Sequence, residues 1–132
     1  MEVNKDSGIS QPDTVARFYD LCDVFVLPSE REPWGLVVNE VMNAARPVIV
    51  THEVGAGADL VQDGVTGYRV SVGEVSELAR RLVELISDPT RAQAMGKEAA
   101  VRVSNWSFEA DKHGIVCAIE GVRMRLQEAR CR

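Results

Sequence analysis

Two acids carry the clearest chemical potential in this chain. They are Glu32 and Glu40, in the stretch Ser29-Glu30-Arg31-Glu32-Pro33-Trp34-Gly35-Leu36-Val37-Val38-Asn39-Glu40. Glu32 stands in the loop before a helical pattern that opens at Gly35. Glu40 lies more than one turn inside that pattern. Neither is placed by spacing to pair with a nearby base. Carboxylates of this kind suit bidentate acceptance from vicinal hydroxyls, on a sugar or a ribose. The first N–H groups of the helix are unpaired, and the helix dipole is positive there, so a phosphate near Leu36 and Val37 fits the same segment. The plainer reading is that both acids are solvated surface groups, with Glu32 merely favouring the helix start. Spacing alone favours that reading, because acids are common in first helical turns.

The elements that must position this segment are short and apolar. Val24-Phe25-Val26-Leu27 reads as a strand apolar at every position, as a parallel strand covered on both faces tends to be. Pro28 ends it. The helix Leu36 to Ala45 follows, with apolar positions Leu36, Val37, Val41 and Ala44, and Pro47 forbids its continuation. Val48-Ile49-Val50 is a second strand. This order of strand, loop, helix and strand is half of a nucleotide-binding α/β unit, and ligands of open α/β sheets bind at the carboxyl ends of the strands.

Upstream, Ser10 caps a helix through Tyr19, with Val15, Phe18 and Cys22 on one face. Downstream, Thr51 to Gly57 reads as a flexible loop, and Ala58-Asp59-Leu60-Val61 as one helical turn. Gln62 to Gly67 reads as a tight turn and Tyr68-Arg69-Val70 as a third strand. A helix from Glu74 to Ser87 carries a stripe of Val75, Leu78, Leu82, Leu85 and Ile86. Asp88-Pro89 caps a second helix with Ala92, Met95 and Ala99 inward. Trp106 is expected in the core. A last helix, capped by Ser107, is expected to bury Phe108, Ile115, Ile119, Val122 and Leu126, although Gly114 and Gly121 each cost about 1 kcal/mol there.

Composition narrows the partners. The 132 residues suffice for one domain, and the net charge of −5 without a basic stripe argues against nucleic acid. No apolar stretch approaches the roughly 18–20 residues that span a bilayer, and Met1 to Asp6 holds no signal-peptide core. Cys22, Cys117 and Cys131 show no metal-ligand spacing and read as reduced thiols of a cytoplasmic protein. His52 and His113 are too scattered for a metal site. Gly55-Ala56-Gly57 lacks the third glycine of a dinucleotide fingerprint. The expected layout is a flexible segment over 1–10, a partial nucleotide-sugar-binding domain over 11–127 and a tail over 128–132.

Taken together, Asp23-Val24-Phe25-Val26-Leu27-Pro28-Ser29, Glu32 to Glu40 and Arg46-Pro47-Val48-Ile49-Val50 resemble the family-4 glycosyltransferases (glycosyl transferase group 1). Gly55 to Val61, Asp63-Gly64-Val65-Thr66-Gly67-Tyr68, Asp88-Pro89 and Trp106-Ser107-Phe108 carry the same resemblance, over roughly residues 8 to 120. The resemblance implies a GT-B fold of two Rossmann-like domains. This chain would be the carboxyl-terminal part of the donor domain, a partial parallel sheet of about three strands flanked by helices. It implies a retaining transfer from a nucleoside diphosphate sugar without cofactor or metal. Glu32 would hold donor-sugar hydroxyls, with the N–H groups of Trp34 and Gly35 lining the sugar pocket. The N–H groups of Leu36 and Val37 would hold the diphosphate, and Glu40 would grip the ribose.

The departures from that family carry expectations too. Ala45 stands where the family usually has glycine before Arg-Pro-Val, and its Cβ is expected to crowd helix against strand. The acceptor domain is absent, as are the first donor-domain strands with the arginine and lysine that neutralise the leaving diphosphate. No catalytic residue is therefore assigned with certainty, and the chain alone is expected to be a poor catalyst. In the family's strand order Val24 to Leu27 would neighbour a missing strand, leaving an apolar edge open to self-association or to a partner supplying the missing half. The other readings are a non-catalytic interaction module that keeps the fold, or an incomplete reading frame.

Overall fold

Val48-Ile49-Val50-Thr51 forms a strand buried at every residue, β2 (Val48–Thr51). Its alternation sends Val48 and Val50 into one apolar cluster and Ile49 into the other. Two strands flank it in parallel, β1 (Phe25–Leu27) and β3 (Gly67–Val70), giving the order β1-β2-β3. Phe25 pairs with Val48 and Leu27 with Val50; Gly67 pairs with Val48 and Val70 with Thr51. All-parallel pairing requires helical crossovers, and the computed structural model, which describes residues 12–106 and 108–130, supplies them. Helix α1 (Pro12–Leu21) precedes the sheet, α2 (Leu36–Asn43) crosses from β1 to β2, α3 (Gly55–Leu60) crosses from β2 to β3, and α4 (Val75–Ser87), α5 (Pro89–Ser104) and α6 (Phe108–Arg130) follow it. The chain is thus an α/β protein with a three-stranded parallel sheet between helices.

One cluster joins Val38, Val41 and Met42 of α2 with Val54, Ala56 and Leu60 around α3, and Ala99 and Val103 of α5. The other joins Tyr68 and Val70 of β3 with Leu85 of α4, and Ala92 and Met95 of α5. Helix α5 serves both clusters, so its inward residues Ala92, Met95 and Ala99 are those expected from sequence. The Asp88 carboxylate caps α5 by accepting from the Arg91 N–H at 3.0 Å, with Pro89 in the first turn. Beside β3, the Tyr68 hydroxyl donates to Glu84 at 2.8 Å, and Arg91 also reaches Glu84 at 2.8 Å. That hydrogen bond from Tyr68 holds the Glu84 carboxyl below its usual range, with the nearby arginines adding to the effect.

Several sequence expectations move. Strand β1 starts at Phe25, not Val24, and is only half-buried because it lies at the sheet edge. In α1 the inward residues are Val15 and Tyr19, while Phe18 points to solvent; Ser10 lies outside the described residues. Leu36 is 70 % exposed, because the first turn of α2 stands at the carboxyl end of the sheet and Val38, Val41 and Met42 face the core instead. Gly55–Leu60 is a helix rather than loop followed by one turn. In α4, Val75 and Ile86 are exposed, and only Leu85 is fully buried.

The largest correction concerns α6. Ile115, Ile119, Val122 and Leu126 form the expected stripe, yet all are exposed, Ile119 by 62 %. Helices α2 to α5 already cover both faces of a narrow sheet. No described residue of α6 joins either core cluster. Ser107 lies outside the described residues.

Ala45 gives a different result from the expected crowding. It adopts φ 55°, the only positive value among the described non-glycine residues. The chain turns back here after α2, and a left-handed residue at a helix end is the usual place for glycine because a Cβ meets backbone in that conformation. Ala45→Gly is therefore expected to stabilise the fold by about 0.5–1 kcal/mol, the relief of strain exceeding glycine's entropy cost. A urea titration checks it; an unchanged or lower midpoint would show that Ala45 is unstrained.

Candidate functional site

The two loops at the carboxyl ends of β1 and β2 are joined as one structure. The Thr51 hydroxyl donates to the Ser29 carbonyl. The Glu32 N–H donates to the Glu53 carbonyl at 3.1 Å, and the Gly55 N–H returns to the Glu32 carbonyl at 3.0 Å, making a one-residue parallel bridge between Glu32 and Val54. The Ala56 N–H donates to the Trp34 carbonyl at 2.8 Å. Glu32 thus gets its position from backbone ladder rather than from its side chain. Its carboxylate is half-buried and accepts only a long bond, 3.4 Å, from the Trp34 N–H, so most of its acceptor capacity stays open.

This junction depends on two glycines. Gly35 holds φ 88° as the residue before α2, and a Cβ there would stand 3.1–3.3 Å from Val54, Glu32 and Leu27 side chains. Gly55 lets the loop bearing Pro33 and Trp34 lie on the start of α3; a Cβ would stand 2.1 Å from the Pro33 carbonyl oxygen. What sequence presents as a flexible Gly-Ala-Gly loop is a close-packed joint.

Past Gly35 the chain enters α2 with no side-chain cap and no acid in its first turn. Leu36 and Val37 occupy its start, where N–H groups lack intrahelical partners. Trp34 lies half-buried beside it, its ring N–H donating to the Asn39 amide oxygen at 3.0 Å. Trp106 does not join the core; it is 45 % exposed and its ring meets that of Trp34 at 5.5 Å, tilted by 39°. The two tryptophans of the chain thus form one wall at the sheet's carboxyl end, with the Trp34 ring orientation held from both sides.

Glu40 lies on α2 with Tyr19 of α1 beside it. The Tyr19 hydroxyl donates to Glu40 Oε2 at 2.7 Å. Both line a hollow of about 520 Å³ with Val15, Ala16, Asp20, Asn43 and Ala44; Glu32 does not line it. Burial first, then the hydrogen bond and charge of Glu40, pushes the Tyr19 phenol up to about 12. The folded value exceeds the ordinary one near 10. The contact's contribution to stability is therefore complete below pH 10 and lost as pH rises toward 12.

The sequence-predicted residues therefore divide in two. Glu32, Trp34 and Gly35 belong to the α3 joint, Glu40 to the α1 side, and Leu36 and Val37 lie between them on the start of α2. Sequence reading missed Tyr19, Asn39, Thr51 and Trp106 as partners of this segment. Asn39 lies within the stretch itself, five residues from Trp34, but nothing local marks the others: Tyr19 precedes Glu40 by 21 positions, Thr51 follows Ser29 by 22 and Trp106 follows Trp34 by far more. His52 is exposed. Among the described residues no helix is long and apolar enough to cross a membrane.

The family model for glycosyl transferases group 1 matches residues 7–102. The chain belongs to the group 1 glycosyl transferases. A D-inositol 3-phosphate glycosyltransferase of Rhodococcus opacus (strain B4) is 34% identical over 113 residues, 86% of this chain and 24% of that protein. The structure of Anabaena HepE in complex with UDP-glucose superposes with a TM-score of 0.63 at 30% identity, over 67% of this chain and 24% of HepE. The C-terminal domain of a glycosyl transferase group 1 family protein, LpcC of Francisella tularensis, gives 0.67 at 26% identity, over 74% of this chain and 50% of that one. This group 1 glycosyl transferase thus spans about a quarter of the length of the curated relative and of HepE.

Proposed function

We propose that this chain carries part of the nucleotide-sugar donor site of a retaining GT-B glycosyltransferase of family 4, as a piece of its carboxyl-terminal domain. The observation that carries the reading is the uncapped start of α2 at the carboxyl end of the sheet, with the backbone of Glu32 fixed on one side of it and the carboxylate of Glu40 held by Tyr19 on the other. HepE, similar over two thirds of this chain, was solved with UDP-glucose, and LpcC supports the domain assignment.

In this reading the N–H groups of Leu36 and Val37 take the diphosphate, where helix-end donors and dipole favour negative charge. Glu40 accepts from the ribose hydroxyls. Glu32 accepts from hydroxyls of the hexose, against a pocket edge made by the backbone of Trp34 and Gly35. No metal or other cofactor enters the reading, and its compartment is the cytoplasm. The acceptor site belongs to the part of the relatives that this chain does not span.

Titration with UDP, GDP and ADP, each with and without an attached hexose, tests it. Saturable binding that Glu40→Ala weakens by at least about tenfold supports the donor site; failure of all six to bind would overturn it.

The same reading includes a protein partner. Phe25 bonds to the β2 side through the Pro47 carbonyl at 3.0 Å, so Val26 turns its backbone groups to the outer edge, which no strand among the described residues covers. Free apolar edges pair with further strands. A measured mass above that of one chain at high concentration is expected, and a strictly monomeric mass would exclude pairing between copies.

A further inference from the structure

We infer that Tyr19 is a positioning residue for ribose recognition, holding one oxygen of Glu40 so that the other faces the ligand. This rests on the donor-site reading above and goes beyond it.

A glutamate on an exposed helix face samples several rotamers, and a ligand that needs one of them must select it. Glu40 is not free in this way. Its Oε2 takes the Tyr19 hydroxyl at 2.7 Å, a charge-assisted bond of short length. Tyr19 is itself braced: its ring meets Phe25 edge-on, at 6.5 Å and 88°, and packs against the apolar cluster beneath α2. The brace thus runs from β1 through two aromatic rings to one carboxylate oxygen. Phenols donate one proton only, so Oε1 keeps its lone pairs for a second donor. Val15 and Ala16 line the hollow beside it, and the hollow is open enough to admit a ligand to Oε1. The one other titratable group lining that hollow is Asp20, a second acid that favours a hydroxyl donor over an anion.

The opposite possibility is that Tyr19 competes with the ribose for the same carboxylate. The two make opposite forecasts. Binding of UDP, GDP and ADP, each beside its 2′,3′-dideoxy analogue, is measured for the wild-type chain, Tyr19→Phe, Glu40→Ala and the double variant. Tyr19→Phe is expected to weaken the ribonucleotide that binds by about fivefold to tenfold, the loss of one charge-assisted bond's ordering effect. Its dideoxy analogue should bind as before, which also shows that the variant is folded. In the Glu40→Ala background, Tyr19→Phe should change nothing.

Equal or tighter ribonucleotide binding by Tyr19→Phe would overturn the inference, as would equal weakening of both analogues. If the wild-type chain itself fails to prefer the ribonucleotide, the ribose role of Glu40 falls, and the inference falls with it.

Discussion

Glu40→Ala is expected to lower affinity for the favoured nucleoside diphosphate by about tenfold to a hundredfold while the chain stays folded. A hydrogen bond to a charged group contributes about 1.5–3 kcal/mol, and each 1.4 kcal/mol is about tenfold. Glu40 is exposed and its backbone lies in a helix that Val38, Val41 and Met42 anchor, so little packing is lost. The folding cost should stay near 1 kcal/mol, the size of the lost bond from Tyr19. Calorimetric titration and a urea midpoint separate the two quantities. Glu32→Ala provides the contrast. Its backbone bridge to Val54 does not need the carboxylate, so binding of the bare diphosphate should be unchanged and only the increment from the hexose lost. Equal effects of both variants on the bare diphosphate would contradict the separate roles.

Gly55→Ala is expected to be the most damaging small substitution near the site. Its Cβ would stand 2.1 Å from the Pro33 oxygen and 2.9 Å from the Pro33 carbon, both backbone atoms that no rotamer can move. The loop must retreat, which strains the bonds from Glu32 to Glu53, Gly55 to Glu32 and Ala56 to Trp34. Overpacking costs about 1–3 kcal/mol, and weakened backbone bonds add to it, so a loss of about 2–4 kcal/mol is expected. For a chain of this size that lowers the melting temperature by roughly 10 °C. The hexose increment should vanish with it, because Glu32 and Trp34 ride on the displaced loop. Gly64→Ala separates clash from backbone strain: Gly64 is also a loop glycine, at φ 74°, so its added Cβ strains the backbone by about 1 kcal/mol but meets nothing within 4 Å. A melting temperature for Gly55→Ala no lower than for Gly64→Ala would show that the joint is not tight.

The apolar runs, the punctuation by Pro28 and Pro47 and the Asp88-Pro89 cap were legible because each is a local effect on a few consecutive residues. Helical faces were less so. Leu36, Val75, Ile86 and the α6 stripe satisfy helical spacing yet face solvent. Period states which residues share a face, whereas burial needs a neighbour to receive that face. Ala45 was singled out by its departure from glycine, and what the structure shows there is a left-handed backbone.

The amino-acid sequence by itself determined the class of fold, the parallel strands and the stretch that matters, since these follow from patterning and turn chemistry within short windows. Only the tertiary structure decided what holds Glu32 and Glu40. One is fixed by the α3 joint at Gly55, the other by a phenol from α1. Such contacts form between segments distant in sequence, through packing around β2, and no local period encodes them.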